Sequence, residues 1–135
     1  MRIILLSCVS KKKNEKSKAE ELYLSPLFKK SINYARSLYP DKIFILSAKY
    51  GLLELDKEIG PYDETLNKMS KKERETWSKG VLEDLKKKTN LAQDEFIFLA
   101  GKNYREFLLP HIKNFDIPMK GLGIGRQLKW LSECI

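Results

Sequence analysis

Ile43, Phe44, Ile45 and Leu46 form an unbroken apolar run that stops abruptly at Ser47. An apolar run of this kind reads as a strand covered on both faces, the normal state of a strand in a parallel sheet. Ser47, Lys49 and Tyr50 follow it, then Gly51, Leu52 and Leu53, so polar and small residues stand where the strand ends. In an open α/β sheet the carboxyl ends of the strands are where ligands bind. Pro61, Tyr62 and Asp63 then bring a second aromatic ring and a carboxylate. A plain connecting loop has no need of that combination.

The same pattern recurs along the chain. Ile3, Ile4, Leu5 and Leu6 mark a first strand over 2–9, residues 95–100 a third and 115–119 a weaker fourth. Helical segments lie between them. Ala19 to Tyr23 reads as a short helical turn. Ser25 precedes Pro26 as an N-cap precedes a first-turn proline, and Phe28, Ile32, Ala35 and Tyr39 recur at helical spacing. Ser70 and Glu73 form a capping-box pair ahead of Trp77, Val81 and Leu85. Asn103 and Glu106 suggest another helix start. Gly121, Gly123 and Gly125 punctuate the turn before a last helix with Leu128, Leu131 and Ile135 inward. Residues 51–69 read as one long connection. Alternation of this kind predicts an α/β fold: a three-layer sandwich with a mainly parallel sheet of about four strands.

Composition agrees with one compact domain over residues 1–135. No apolar run approaches the roughly 20 residues of a membrane span, and Ile3 to Leu6 is too short for a secretory signal. The chain therefore reads as cytoplasmic, without membrane association. Cys8 and Cys134 have no metal-type or disulfide spacing and read as reduced structural cysteines. No metal or other cofactor is expected, and nothing in the sequence specifies an oligomer. The 26 basic and 18 acidic residues leave a net charge of +8, which suits a polyanionic partner, nucleic acid or nucleotide. Lysines on helix faces that only solvate the surface account for the charge equally well.

Four connections are expected at the carboxyl edge of the sheet, over residues 7–13, 47–51, 101–104 and 121–126. Each combines small residues with a donor or a cation. Small residues let a ligand approach the backbone, and helix N-termini attract anions. In the first, Ser7, Ser10, Lys11 and Lys12 suit phosphate; an exposed basic loop beside a buried cysteine is the alternative. Gly51 follows Ser47, Lys49 and Tyr50 in the second. Gly101, Lys102 and Tyr104 form the third. Gly125 and Arg126 belong to the fourth, where a cation in the first helical turn opposes the helix dipole and an anionic partner would account for it. Asp63 is the best carboxylate candidate, to activate water or to stabilise an oxocarbenium-like centre; a turn aspartate is its ordinary alternative. The expectation is one shared cleft lined by these residues.

Several of these segments also carry a resemblance. They are the first-strand Ile-Leu-Leu-Ser-Cys-Val-Ser-Lys-Lys, Ala19 to Phe28 with its Leu-Tyr-x-Ser-Pro-Leu-Phe, Leu46 to Leu53 with Pro61-Tyr62-Asp63, Phe96 to Tyr104 with Ala-Gly-Lys-x-Tyr, and Gly121 to Leu131. Together they resemble the YaaA (peroxide stress protein) superfamily, and more closely a group of small uncharacterised bacterial and phage domains. The YaaA helix-hairpin-helix insertion has no counterpart here. The motif around Ser47, Gly51, Tyr62 and Asp63 is similar to a domain of archaeosine-synthesis enzymes related to the uracil-DNA glycosylase fold. The resemblance implies a glycosylase-like fold and a nucleobase- or nucleic-acid-directed site of N-glycosidase type. In that setting Asp63, Ser47 and Lys49 are the catalytic candidates. Tyr50, Tyr62 and Tyr104 stack on an extruded base, and Ser7, Ser47 and Lys49 contact its edge. The Gly-Gln-Asp-Pro-Tyr and His-Pro-Ser signatures of ordinary uracil glycosylases are absent from the sequence. The competing expectations are a non-catalytic DNA- or nucleotide-binding stress-response protein and an enzyme acting on a small metabolite.

Overall fold

The computed structural model describes residues 1–7 and 11–134. Cys8, Val9, Ser10 and Ile135 lie outside the described residues, so the expectation for Ser10 does too. The strands are β1 (Arg2–Ser7), β2 (Ser17–Lys18), β3 (Lys42–Ser47), β4 (Gly51–Glu54), β5 (Glu58–Ile59), β6 (Glu95–Leu99) and β7 (Asn114–Asp116). The α-helices are α1 (Ala19–Leu22), α2 (Pro26–Ser37), α3 (Lys71–Lys88), α4 (Lys102–Arg105) and α5 (Ile124–Glu133). Short 3-10 turns occupy Leu66–Lys68 and Leu109–His111.

Five strands form the main sheet in the order β4-β3-β1-β6-β7. β1 pairs in parallel with β3 on one side and β6 on the other, placing Leu5 between Phe44 and Phe98. β7 extends the parallel run beyond β6. The sheet is thus mainly parallel, as expected, with five strands rather than about four. The additional strand is β4, which turns back antiparallel on β3. It lies within the stretch read as a long connection. Ala48 to Tyr50 form the turn, and Gly51 follows with φ +75°, the left-handed conformation that closes three-residue hairpin loops. Residues 47–51 are therefore a hairpin turn and not a strand-to-helix connection. The last strand is also shorter and earlier than the expected 115–119.

Alternation along the buried strands divides the core in two. Ile4 and Leu6 join Phe28, Ile32 and Ala35 of α2 and Leu131 of α5. Ile3 and Leu5 join Val81, Leu82 and Leu85 of α3. All four of those β1 side chains are fully buried, each worth about 1.5–3 kcal/mol relative to exposure. Helices therefore cover both faces of the sheet.

Local signals agree with these elements. Ser25 Oγ accepts the Phe28 N–H at 3.1 Å, capping α2 behind Pro26. Ser70 and Glu73 form the reciprocal capping box of α3, and the Ser70 N–H holds the Glu73 carboxyl below its ordinary pKa. Lys86, Lys87 and Lys88 close that helix, where cations favour the dipole. A two-stranded ribbon of β2 and β5 braces the loop region, and Lys12 bridges to Tyr23. Cys134 is a free cysteine, but it is exposed just beyond α5, which corrects its reading as a structural residue. Among the described residues no helix is long and apolar enough to cross a membrane.

Candidate functional site

The parallel strand order reverses at β1. The chain passes from β1 to β3 on one side, then returns to β6 on the other. Helical connections diverge at such a point and leave a crevice beyond the strand ends. A cavity of about 380 Å³ lies there, with Ser7 at the end of β1 and Leu99, Ala100 and Gly101 at the end of β6. The Gly101 N–H donates to Ser7 Oγ at 3.1 Å, tying the two strand ends together. Phe28, Met119, Ile124 and Leu128 supply apolar wall from α2, the segment after β7 and α5. The cavity brings together three of the expected residues: Ser7, Gly101 and Tyr104.

Tyr104 is buried. Its hydroxyl accepts the Leu66 N–H at 3.3 Å, and its ring meets Trp77 edge-on at 5.7 Å. Beside it in the lining stand Arg105 and Asn67, two residues to which the sequence reading assigned no role. Arg105 Nη1 donates to Ala100 O at 2.7 Å, and partial burial pushes its guanidinium pKa down. Its one legible signal is its place four positions beyond Gly101, on the short helix that opens at the end of β6. Asn67 comes from the 3-10 turn of the long loop, and its Oδ1 accepts the Asn103 side-chain N–H at 2.9 Å.

A second cleft, of about 390 Å³, is lined by Lys11, Lys12, Lys13, Asn14, Pro61, Tyr62 and Asp63. Lys12 Nζ lies 4.4 Å from the centre of the Tyr62 ring and 5.8 Å from that of Tyr23. Such contacts hold an ammonium in place without neutralising it. The rings continue as a ladder. Tyr62 meets Tyr23 edge-on at 6.4 Å and Tyr50 at 5.6 Å, and Lys49 Nζ stands 5.4 Å from the Tyr50 ring. The Tyr23 and Tyr62 hydroxyls are 2.6 Å apart. Tyr23 also packs on Phe28 at 4.9 Å, so it touches one ring of the cleft lining, Tyr62, and one of the cavity lining, Phe28.

The expected single cleft is therefore divided in two. Lys11, Lys12, Tyr62 and Asp63 share the lysine cleft, while Ser7, Gly101 and Tyr104 share the cavity. Ser47 lies in neither. It is fully buried, its Oγ accepts the Tyr50 N–H at 3.0 Å, and its carbonyl accepts Trp77 Nε1 at 2.8 Å. The hairpin lies on the side of β1 away from β6: Ser47 ends β3, Gly51 opens the edge strand β4, and neither they nor Lys49 between them line the cavity at the β1–β6 crevice. Lys102, Gly125 and Arg126 are exposed and line neither space. Of the three tyrosines expected to stack on a base, Tyr50 alone is exposed. Among the described residues no group of three His, Cys, Asp or Glu side chains is placed to hold a metal ion.

No curated protein and no solved structure matches this chain. A family model does, over residues 3–133, which takes in every strand and helix described above except the first residue of β1. Both the cavity at the β1–β6 crevice and the lysine cleft fall within the matched span, and the chain belongs to that family, a family of unknown function (DUF6884).

Proposed function

We propose that this protein is nucleic-acid- or nucleotide-directed and grips phosphate in the cleft of Lys11, Lys12 and Lys13. The observation that carries this reading is the convergence of three consecutive lysines on one cleft where, among the described residues of the lining, Asp63 is the single carboxylate. Among the described residues neither Lys11 nor Lys13 has an ion-pair partner. Uncompensated lysines release counterions when they meet phosphate, the main source of sequence-independent affinity. Tyr50, exposed at the end of the tyrosine ladder, offers a ring on which a base can stack, worth about 1–3 kcal/mol. The net charge of +8 adds to attraction at longer range. Helices on both faces of the sheet support the three-layer, glycosylase-like reading, and the YaaA resemblance of the same segments supports the substrate class. A cytoplasmic setting goes with that reading.

The second reading is enzymatic, with Asp63 acting at a glycosidic bond. It is the weaker of the two, because Asp63 stands among lysines and not in the enclosed cavity that would receive an extruded base.

Labelled single- and double-stranded DNA, RNA and nucleotides titrated across salt concentrations test the first reading. Binding that weakens with salt is expected; absence of binding at low salt overturns it. Base release, assayed on the same substrates, separates the two. Release that Asp63→Asn abolishes at unchanged affinity would establish the enzyme, and no release leaves the binding protein.

A further inference from the structure

The cavity beyond β1 and β6 has a composition the lysine cleft does not share. Its walls are mainly apolar, and among the described residues that line it there is one cation, Arg105, and no Asp or Glu. Arg105 is partly buried and, among the described residues, has no carboxylate partner; the neighbouring Glu106 pairs with Arg74 at 3.2 Å instead. A guanidinium withdrawn from water is normally compensated by an anion. Here one N–H group goes to Ala100 O, leaving the rest of the fork.

Other donors stand with it. Asn67 spends its carbonyl oxygen on Asn103 and keeps its N–H2. Ser7 Oγ accepts from Gly101 and keeps its proton to donate. The first turn of α5 contributes Ile124 and Gln127 to the wall, and its N-cap, Gly123, has no side chain to satisfy the free N–H groups of that turn. A volume of about 380 Å³ is at the small end of the roughly 300–1,000 Å³ typical of small-molecule sites.

We infer that this cavity is a second site, separate from the lysine cleft, for a small carboxylate carrying an apolar or aromatic body, with the carboxylate on Arg105 and Asn67 and the body against Phe28, Met119 and Leu128. One guanidinium matches one negative charge. A phosphate dianion would leave an unbalanced charge against apolar walls, which is costly. The planar fork of arginine also suits the two oxygens of a carboxylate.

The test uses the full chain and amide chemical-shift titrations with 4-phenylbutyrate, its neutral amide 4-phenylbutyramide, phenyl phosphate and acetate. Saturable shifts centred on Gly101, Arg105 and Gln127 are expected with 4-phenylbutyrate, with at least tenfold weaker binding of the amide and of acetate. Arg105→Gln should weaken 4-phenylbutyrate about tenfold or more, the usual cost of losing a hydrogen bond to a charged group. Ile124→Glu is the control should the Arg105 variant fail to fold, because Ile124 is 65% exposed and lines the cavity. It places a like charge at the site and should weaken the carboxylate while sparing the amide. Equal binding of acid and amide would overturn the inference, as would tighter binding of phenyl phosphate or shifts confined to Lys11 through Lys13.

Discussion

Trp77 Nε1 donates to the carbonyl of Ser47 at 2.8 Å, so the middle of α3 pins the turn between β3 and β4. The same indole packs edge-on against Tyr104, linking that turn to the wall of the cavity. Trp77→Phe keeps an aromatic ring but removes the donor. Urea denaturation followed by circular dichroism is expected to show a loss of about 1–2 kcal/mol, from an unmade hydrogen bond to the carbonyl of the buried Ser47. An unchanged midpoint would show that the turn holds itself.

Salt linkage measures the phosphate grip. Each phosphate neutralised contributes a slope of roughly −0.7 to −0.9 in log affinity against log salt. Lys11→Glu with Lys13→Glu is expected to flatten that slope and weaken oligonucleotide binding at least tenfold. Arg126→Glu is the contrasting variant, because Arg126 is exposed outside the cleft. It should leave the slope unchanged, and an acid in the first turn of α5 favours the helix dipole.

Tyr39 follows Leu38, the C-cap of α2, with φ 52°, and it is 90% exposed. A non-glycine residue in this left-handed conformation carries a penalty of roughly 1–2 kcal/mol, partly offset by the greater freedom of glycine in the unfolded chain. Tyr39→Gly is therefore expected to stabilise the protein by about 0.5–1 kcal/mol, read as a raised denaturation midpoint. No gain would mean that the tyrosine ring contributes elsewhere.

Asp94 governs part of the acid limb of stability. The Asn90 N–H, and then the Met1 amino group 2.7 Å away, hold its carboxyl below the ordinary aspartate range. A depressed folded pKa contributes stability that is fully present above the unfolded value, near pH 4. That contribution is lost as pH falls through the folded value. Asp94→Asn should thus be less stable than the natural protein at neutral pH, and the gap should narrow below about pH 4. A gap that stays constant from pH 7 to pH 2.5 would count against this assignment.

Local chemistry was enough to read much of this fold. The apolar runs of β1, β3 and β6 have one way to be buried, and Ser25-Pro26 and Ser70–Glu73 cap their helices with atoms only a few residues apart. The lysines of 11–13 and Asp63 were legible as chemistry for the same reason: their charge is visible in the residue itself. What the sequence could not carry was the company each residue keeps. β4 is a strand because Gly51 takes a positive φ and β3 has a free edge, and pairing across an edge is a long-range event. Tyr62 and Tyr104 look like exposed aromatics in polar loops, yet one is hydrogen-bonded to Tyr23 and the other is packed on Trp77. The division of one expected cleft into two follows from strand order. Placing β6 beside β1, away from the β3–β4 hairpin, leaves Ser47 buried at the end of β3 between β1 and β4 and brings Arg105 to the crevice. Periodicity and capping act within a few residues, whereas burial of a cation without an acid is decided only when distant segments pack together.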